Sequence, residues 1–204
     1  MTRKTKADLT VQADADLADN ISGQISPADV RNSAIDNIDS SAHSRIITEG
    51  GVMDYSDAAT TTTPIVTPAT VPTKLTNDGA GVYTNKTYKP DTVTDLWDAA
   101  TNQLDFSELN LGDIVIIRFD VIPVTGSANT DLDISLKMAV GSATPYDLFV
   151  NHSSYKSAGT QNNMVRTMML YIGDTNTKDY PAEIYATTDA NATIIVNGWA
   201  IAIT

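Results

Sequence analysis

The residues best suited by type to catalysis are a pair of carboxylates and two histidines. Asp131 and Asp133 stand two apart in Asp131-Leu-Asp-Ile-Ser-Leu-Lys-Met-Ala-Val140, and in a strand that spacing puts both on one face. A carboxyl pair is what a polysaccharide-cleaving site needs, one group donating a proton and the other acting as base or nucleophile. The same alternation places acidic pairs on any half-exposed strand, and nothing else in the chain extends this pair into a site. His43 falls near the end of a predicted helix, and His152 lies in Asn151-His-Ser-Ser-Tyr155. No Gly-x-Ser-x-Gly elbow surrounds a serine that either histidine would activate. The chain has no cysteine, which excludes thiolate chemistry and disulfides.

Metal chemistry is equally sparse. Asp174-Thr-Asn-Thr-Lys-Asp179 begins like a calcium loop but lacks the glycine at its sixth position, and Tyr185 stands where a bidentate glutamate belongs. A solvated turn is the expectation. Two isolated histidines supply no ligand pair at helical spacing. These patterns predict a non-enzymatic protein with no cofactor. Arg118 and Asp120 are different. They share the second face of an apolar strand and are bracketed by Ile116 and Ile122. Charges set between apolar neighbours predict pairing at an interface, because a lone buried charge is costly. Trp97, Tyr146, Tyr155 and Tyr171 fit either a ligand platform, such as a glycan site, or core and subunit contacts.

The elements that must hold these residues are mostly strands. The stretch Ala192-Thr-Ile-Ile-Val-Asn-Gly-Trp-Ala-Ile-Ala-Ile-Thr204 is apolar on both faces: Ile195, Asn197, Trp199, Ile201 and Ile203 on one, Ile194, Val196, Gly198, Ala200 and Ala202 on the other. One face needs an opposing sheet and the other a neighbouring subunit, so the chain is expected to self-associate. Val115, Ile117, Phe119 and Val121 point inward from a core strand over 113–122. Leu132, Ile134, Leu136, Met138 and Val140 do so from the cleanest alternation in the chain. Further strands are expected over 82–88, 147–152, 164–172 and 182–186, separated by turns rich in Gly, Asn and Asp. With no helical stretches between them, these predict an antiparallel sandwich.

Upstream, residues 1 to about 25 are polar. Ser26, Pro27 and Asp29 then start a helix over about 27–45, with Val30, Ala34, Ile38 and Ala42 as a narrow apolar stripe ended by Gly50-Gly51. Residues 56–73, with Thr60-Thr-Thr-Thr-Pro64, Pro68 and Pro72, are expected to be a linker. The predicted organisation is therefore an arm and helix over 1–55, a linker over 56–73 and a β-sandwich over 74–204.

Composition narrows the partners. A formal net charge of −12 and a pI near 4.3 argue against a nucleic-acid partner, which requires a basic footprint. No apolar run reaches the ~18 residues of a membrane helix. Met1-Thr-Arg-Lys-Thr-Lys6 is basic like the start of a signal peptide, but Ala7–Asp14 is no apolar core.

Ala18-Asp-Asn-Ile-Ser-Gly-Gln-Ile-Ser-Pro-Ala-Asp-Val-Arg31 resembles a segment near the N-terminus of many tailed-bacteriophage structural proteins, where it opens a helix followed by a β-rich module. Downstream, Tyr88-Lys-Pro90, Leu96-Trp97, Phe106–Asp113, Asn151–Gly159, Ile172–Asn176, Asp189–Thr193 and Asn197-Gly-Trp199 resemble the trimeric, tumour-necrosis-factor-like jelly rolls of phage capsids and tail fibres. The resemblance implies a mainly β jelly-roll sandwich with an N-terminal extended arm and one short helix. It also implies a homotrimer on the outer surface of a virion, with the C-terminal strand near the three-fold axis. Ile194, Val196, Ala200, Ala202, Arg118 and Asp120 are the expected trimer interface. Arg3, Lys4, Lys6, Val30, Ala34 and Ile38 are the expected virion anchor. The implied partners are a major capsid protein, for a decoration (cement) protein, or tail and baseplate proteins, for a short tail fibre whose jelly roll binds a host surface glycan or protein.

Overall fold

The computed structural model describes residues 50–204. The expected helix over 27–45, the anchoring residues Arg3, Lys4, Lys6, Val30, Ala34 and Ile38, and His43 lie outside the described residues. In chain order the elements are β1 (Gly51–Ser56), α1 (Ala59–Thr62), β2 (Ile65–Thr67), β3 (Thr73–Lys74), β4 (Trp97–Asp98), β5 (Gln103–Leu104), β6 (Ile114–Thr125), β7 (Thr130–Met138), β8 (Tyr146–Tyr155), β9 (Met164–Tyr171), α2 (Thr175–Asp179), β10 (Glu183–Thr188) and β11 (Ala192–Ile203).

The first sheet has the order β1-β11-β6-β9, with β2 also paired to β11, and the second has the order β3-β10-β7-β8. Every pairing within them is antiparallel. From β6 onward the chain crosses repeatedly between sheets: β7 and β8 lie in the second, β9 in the first, β10 in the second and β11 back in the first. These nine strands, with β1 and β2 sharing one edge position against β11, are wound in the order of a jelly roll. The expected antiparallel sandwich is the observed fold.

Alternation explains why these segments are strands. Along β7 buried and half-exposed residues alternate without a break, with Leu132, Ile134, Leu136 and Met138 inside. Val115, Ile117, Phe119 and Val121 of β6 face them across the core, as expected. Val140 does not continue the row. Ala139 takes a positive φ of 54° and the buried place, and β7 ends before it. At the centre the Trp199 ring meets Trp97 and Phe119 edge to face, each at 5.8 Å between centroids. Such pairs add about 0.5–1.5 kcal/mol beyond the area they bury. Trp97 is therefore core and not a ligand platform.

The expected domain boundary differs from the observed one. Residues 51–73 belong to the body of the jelly roll: β1 pairs with β11 from Gly51↔Ile203 to Ser56↔Gly198, and β2 pairs with the same strand further along. The Thr-rich segment between them docks on the core sheet. Asp57 accepts from the Thr60 backbone N–H (2.7 Å) and hydroxyl (2.6 Å), and the Thr60 hydroxyl accepts from Val196 N–H (2.8 Å). A Thr/Pro composition that reads as linker is here a capped turn filling a break in an edge strand.

Residues 82–88, expected as a strand, form a loop laid along the outer edge of β1. Asp54 and Asn85 exchange backbone bonds of 2.8 and 2.9 Å, Val52 N–H reaches Tyr88 O at 2.9 Å, and Gly81 N–H reaches Ser56 O at 2.8 Å. The rest of the long connection from β3 to β6 is fixed by a half-buried polar knot. The Tyr55 hydroxyl donates to Asp95 and accepts from Leu96 N–H (3.0 Å), while Lys86 also bonds Asp95. The Trp97 indole N–H donates to Asn77 O at 2.9 Å.

Candidate functional site

The outer face of the first sheet is built by alternation and by one irregularity. In β1, Met53 and Tyr55 are buried, so Val52, Asp54 and Ser56 point outward. In β6 the outward residues are Ile116, Arg118, Asp120 and Ile122. In β9 they are Val165, Thr167, Met169 and Tyr171. Strand β11 carries a bulge: Val196 pairs with Val121, Gly198 pairs with Asp120, and Asn197 is the extra residue. On its far side Trp199, Ile201 and Ile203 face the core, as Ala192, Ile194 and Val196 do before it.

That bulge corrects two of the six residues of the expected trimer interface. Ile194 and Val196 are fully buried in the core. The extra residue inverts the alternation, so the outward residues of β11 are Thr193 and Ile195 before it and Ala200 and Ala202 after it. Gly198 makes the bulge possible. Its φ is +153°, and a Cβ there would lie 2.3 Å from Tyr55 O and 2.9 Å from Ser56 Cα. Asn197 turns outward and its amide donates to Asp120 Oδ1 at 2.8 Å.

Register then sets the face out in rows across β1, β11, β6 and β9. One row is Val52–Ala202–Ile116–Met169, the next Asp54–Ala200–Arg118–Thr167, and the next Ser56–Gly198–Asp120–Val165. Beyond the bulge lie Ile195 beside Ile122, and Val66–Thr193–Val124. Apolar rows thus flank a polar band carrying Asp54, Arg118 and Asp120. Val52 (45 %), Val66 (66 %), Met169 (69 %) and Tyr171 (62 %) are strongly exposed on it. Of the expected interface residues, Ala200, Ala202, Arg118 and Asp120 are brought together here.

Over the polar band lies a depression of about 520 Å³, lined by Asp54, Arg118, Asp120 and Asn197, with Thr61 of α1 and Val82 and Tyr83 of the edge loop among its walls. Val82 and Tyr83 are almost wholly exposed, and Tyr88 nearly as much. Asp54, Val82 and Tyr83 were not among the sequence-derived site residues. The signal for Asp54 was present in the alternation of Gly51–Ser56, hidden by its assignment to the arm.

The second sheet carries the other candidates. Asp131 and Asp133 do share an outward face, where Asp133 bonds the His152 Nδ1 at 2.7 Å and Asp131 accepts from the Ser154 hydroxyl. His152 Nε2 lies 4.0 Å from Asp131. The bond to Asp133 raises the His152 pKa; desolvation opposes it, and Coulomb attraction from Asp133, Asp131 and Asp189 adds to the rise. Asp174 of the 174–179 segment caps α2, accepting from Thr177 N–H at 2.8 Å. Among the described residues no three His, Cys, Asp or Glu side chains gather as metal ligands, and no helix is long and apolar enough to cross a membrane. Tyr146 is tied by its hydroxyl to Thr177 (2.8 Å), and Tyr155 is half-buried against the core.

No family model matches the chain, and no curated protein matches it. Among solved structures it is similar to that of infectious bursal disease virus, Gx strain, at 10 % identity and a TM-score of 0.41, over 76 % of this chain and 31 % of that one. It is also similar to Eiger TNF from S. frugiperda (7 % identity, TM-score 0.40, 78 % of this chain and 93 % of that one). A third is the PRD1 vertex protein P5 (16 % identity, TM-score 0.36, 77 % and 94 %). The chain spans about a third of the length of the bursal disease virus chains it matches. The strand order itself defines the class: an antiparallel jelly roll, one of whose sheet faces is largely apolar and without cover among the described residues.

Proposed function

We propose that this chain is a non-enzymatic structural component of a bacteriophage particle. It assembles as a homotrimer through the outer face of its first sheet and decorates the capsid as a cement protein. The observation that carries the reading is that open face: apolar rows on both sides of a charged band, without cover among the described residues. A patch of this kind marks an interaction surface, and closed rotational symmetry lets copies of one chain cover it. Ala200, Ala202, Arg118 and Asp120 remain in the proposed interface, with Asp54 added.

The resemblance of residues 18–31 to phage structural proteins supports the virion assignment. Residues 1–49, including Arg3, Lys4, Lys6, Val30, Ala34 and Ile38, then anchor the trimer to the major capsid protein, with the jelly roll outward. The test is the mass of the purified full-length chain in solution, followed by sedimentation with empty heads and with isolated tails of its phage. A trimer that sediments with heads is expected; a monomer overturns the reading.

A second reading, a short tail fibre, is favoured by one observation. The loop bearing Val82, Tyr83 and Tyr88 is fastened to β1 by backbone bonds yet exposes these large side chains. A rigid loop displaying aromatic rings suits contact with a host glycan or protein. Sedimentation with tails and not heads is its expected outcome.

A further inference from the structure

We infer that Arg118 of one copy forms an ion pair with Asp54 of the next, and that this pair sets the register of the assembly. The inference rests on the trimeric reading above and specifies its contact. Asp54 and Arg118 occupy one cross-strand row with Ala200 between them. Neighbouring strands are about 4.8 Å apart, so the two backbones stand about 10 Å from each other. Among the described residues neither side chain makes a hydrogen bond or ion pair, although both line the same depression. The other carboxylates there are occupied. Asp120 accepts from Asn197, and Asp57 accepts from Thr60 and from Asp78 N–H (2.8 Å).

Covering the flanking apolar rows takes both charges out of water. A guanidinium and a carboxylate buried without partners oppose association, whereas opposite charges supplied from the facing copy satisfy both. The guanidinium offers a fork of donors that fits a carboxylate along two parallel bonds. Position favours an exchange between copies. Asp54 lies on the edge strand β1, Arg118 lies two strands further in, and Ala200 leaves space between them. In a rotational ring each copy gives its Asp54 to one neighbour and its Arg118 to the other, so the pairs close on themselves.

Charge reversal in the full chain tests this, read as molar mass across a dilution series by analytical ultracentrifugation. Arg118→Asp and Asp54→Arg, each alone, are expected to weaken association by at least about a hundredfold, the scale for breaking a desolvated charge pair. The double variant is expected to recover most of that loss. Both positions are on the open face of the single copy, and unfolding curves matching wild type show that the variants fold. Should a variant misfold, the same cycle run with Arg118→Gln and Asp54→Asn replaces it, with less-than-additive losses expected. A wild-type trimer whose single variants stay trimeric overturns the pairing and leaves the trimeric reading standing. So does rescue of Arg118→Asp by Asp120→Arg and not by Asp54→Arg. A monomeric wild type overturns both.

Discussion

Replacing Gly198 by alanine tests the bulge on which the open face depends. The new methyl would sit 2.3 Å from Tyr55 O and 2.9 Å from Ser56 Cα, the first over an ångström inside the 3.4–4 Å of ordinary contact. Both atoms are backbone of β1, so no side chain can swing aside. β1 must move away from β11, and its pairing at Tyr55↔Trp199 and Ser56↔Gly198 is the first to suffer. A residue forced to positive φ costs about 1–2 kcal/mol, and two weakened backbone bonds add about 1 kcal/mol each. The sum is about 3–4 kcal/mol, or roughly 6–16 °C in melting temperature for a domain of this size. Gly79→Ala is the control. Gly79 has φ +61° but nothing within 4 Å of its hypothetical Cβ, so it carries the conformational cost alone. Calorimetric or denaturant unfolding of the full-length variants gives both values. If Gly198→Ala proves no more destabilising than Gly79→Ala, the close approach of β1 to the bulge is not what holds glycine there, and the inverted alternation of β11 loses its explanation.

Three further expectations follow from the polar contacts. Tyr55→Phe removes the hydroxyl that accepts from Leu96 N–H and leaves that donor buried, at a cost of about 1–3 kcal/mol in denaturant unfolding; an unchanged midpoint would show that water reaches Leu96. Burial opposes ionisation of Glu183, but Lys74 (2.7 Å), Gln103 (2.9 Å) and Tyr185 (2.8 Å) outweigh it and hold the carboxyl below its ordinary value of 4.5. Its contribution is therefore present above that value and lost as pH falls through the lowered one. Glu183→Gln should cost about 1–2 kcal/mol at neutral pH and flatten the acid limb of the stability profile; an identical acid limb would refute this. His152 should titrate above its ordinary 6.5 by NMR because Asp133 bonds its ring, and Asp133→Asn should bring it down. Any stability that pair adds is present below 6.5 and fades as pH rises through the raised value. A midpoint at or below 6.5 in the wild type would sink the pairing in solution.

Strands were legible where alternation ran unbroken. Leu132 through Met138 and Val115 through Val121 face inward as the sequence implies, because each side is buried against one sheet and a one-residue slip would invert it. Arg118 and Asp120 were placed outward by the same logic. Ile194 and Val196 were placed on the wrong face for a definite reason: Asn197 is an extra residue in β11, and period-two counting from Trp199 backward cannot register it. The one sign in the sequence is Asn197-Gly198 within an apolar strand, since a glycine there marks a bulge or a close backbone approach. The 56–73 stretch was misread because its order comes from distant partners, Val196 for Thr60 and Ala192–Ile194 for β2, and not from local pattern. Asp54 was lost with the arm over 1–55, to which Gly51–Tyr55 were assigned, which is how half of the proposed ion pair escaped notice.

The position of β11 has a consequence for how the chain reaches this state. It is the latest strand in chain order among the described residues, yet it lies between β1 and β6 and joins them. Until residues 192–203 have left the ribosome, β1 and β6 have no strand to unite them and the first sheet cannot close. Contacts such as Gly51↔Ile203 span nearly the whole described chain, and loops of that size put folding on the slow side, in roughly milliseconds to seconds. During that interval the Ile-rich β6 stands open along one edge, a template for another nascent copy as readily as for its own β11. The yield of folded protein should therefore depend more on translation rate and temperature than on the stability of the finished fold.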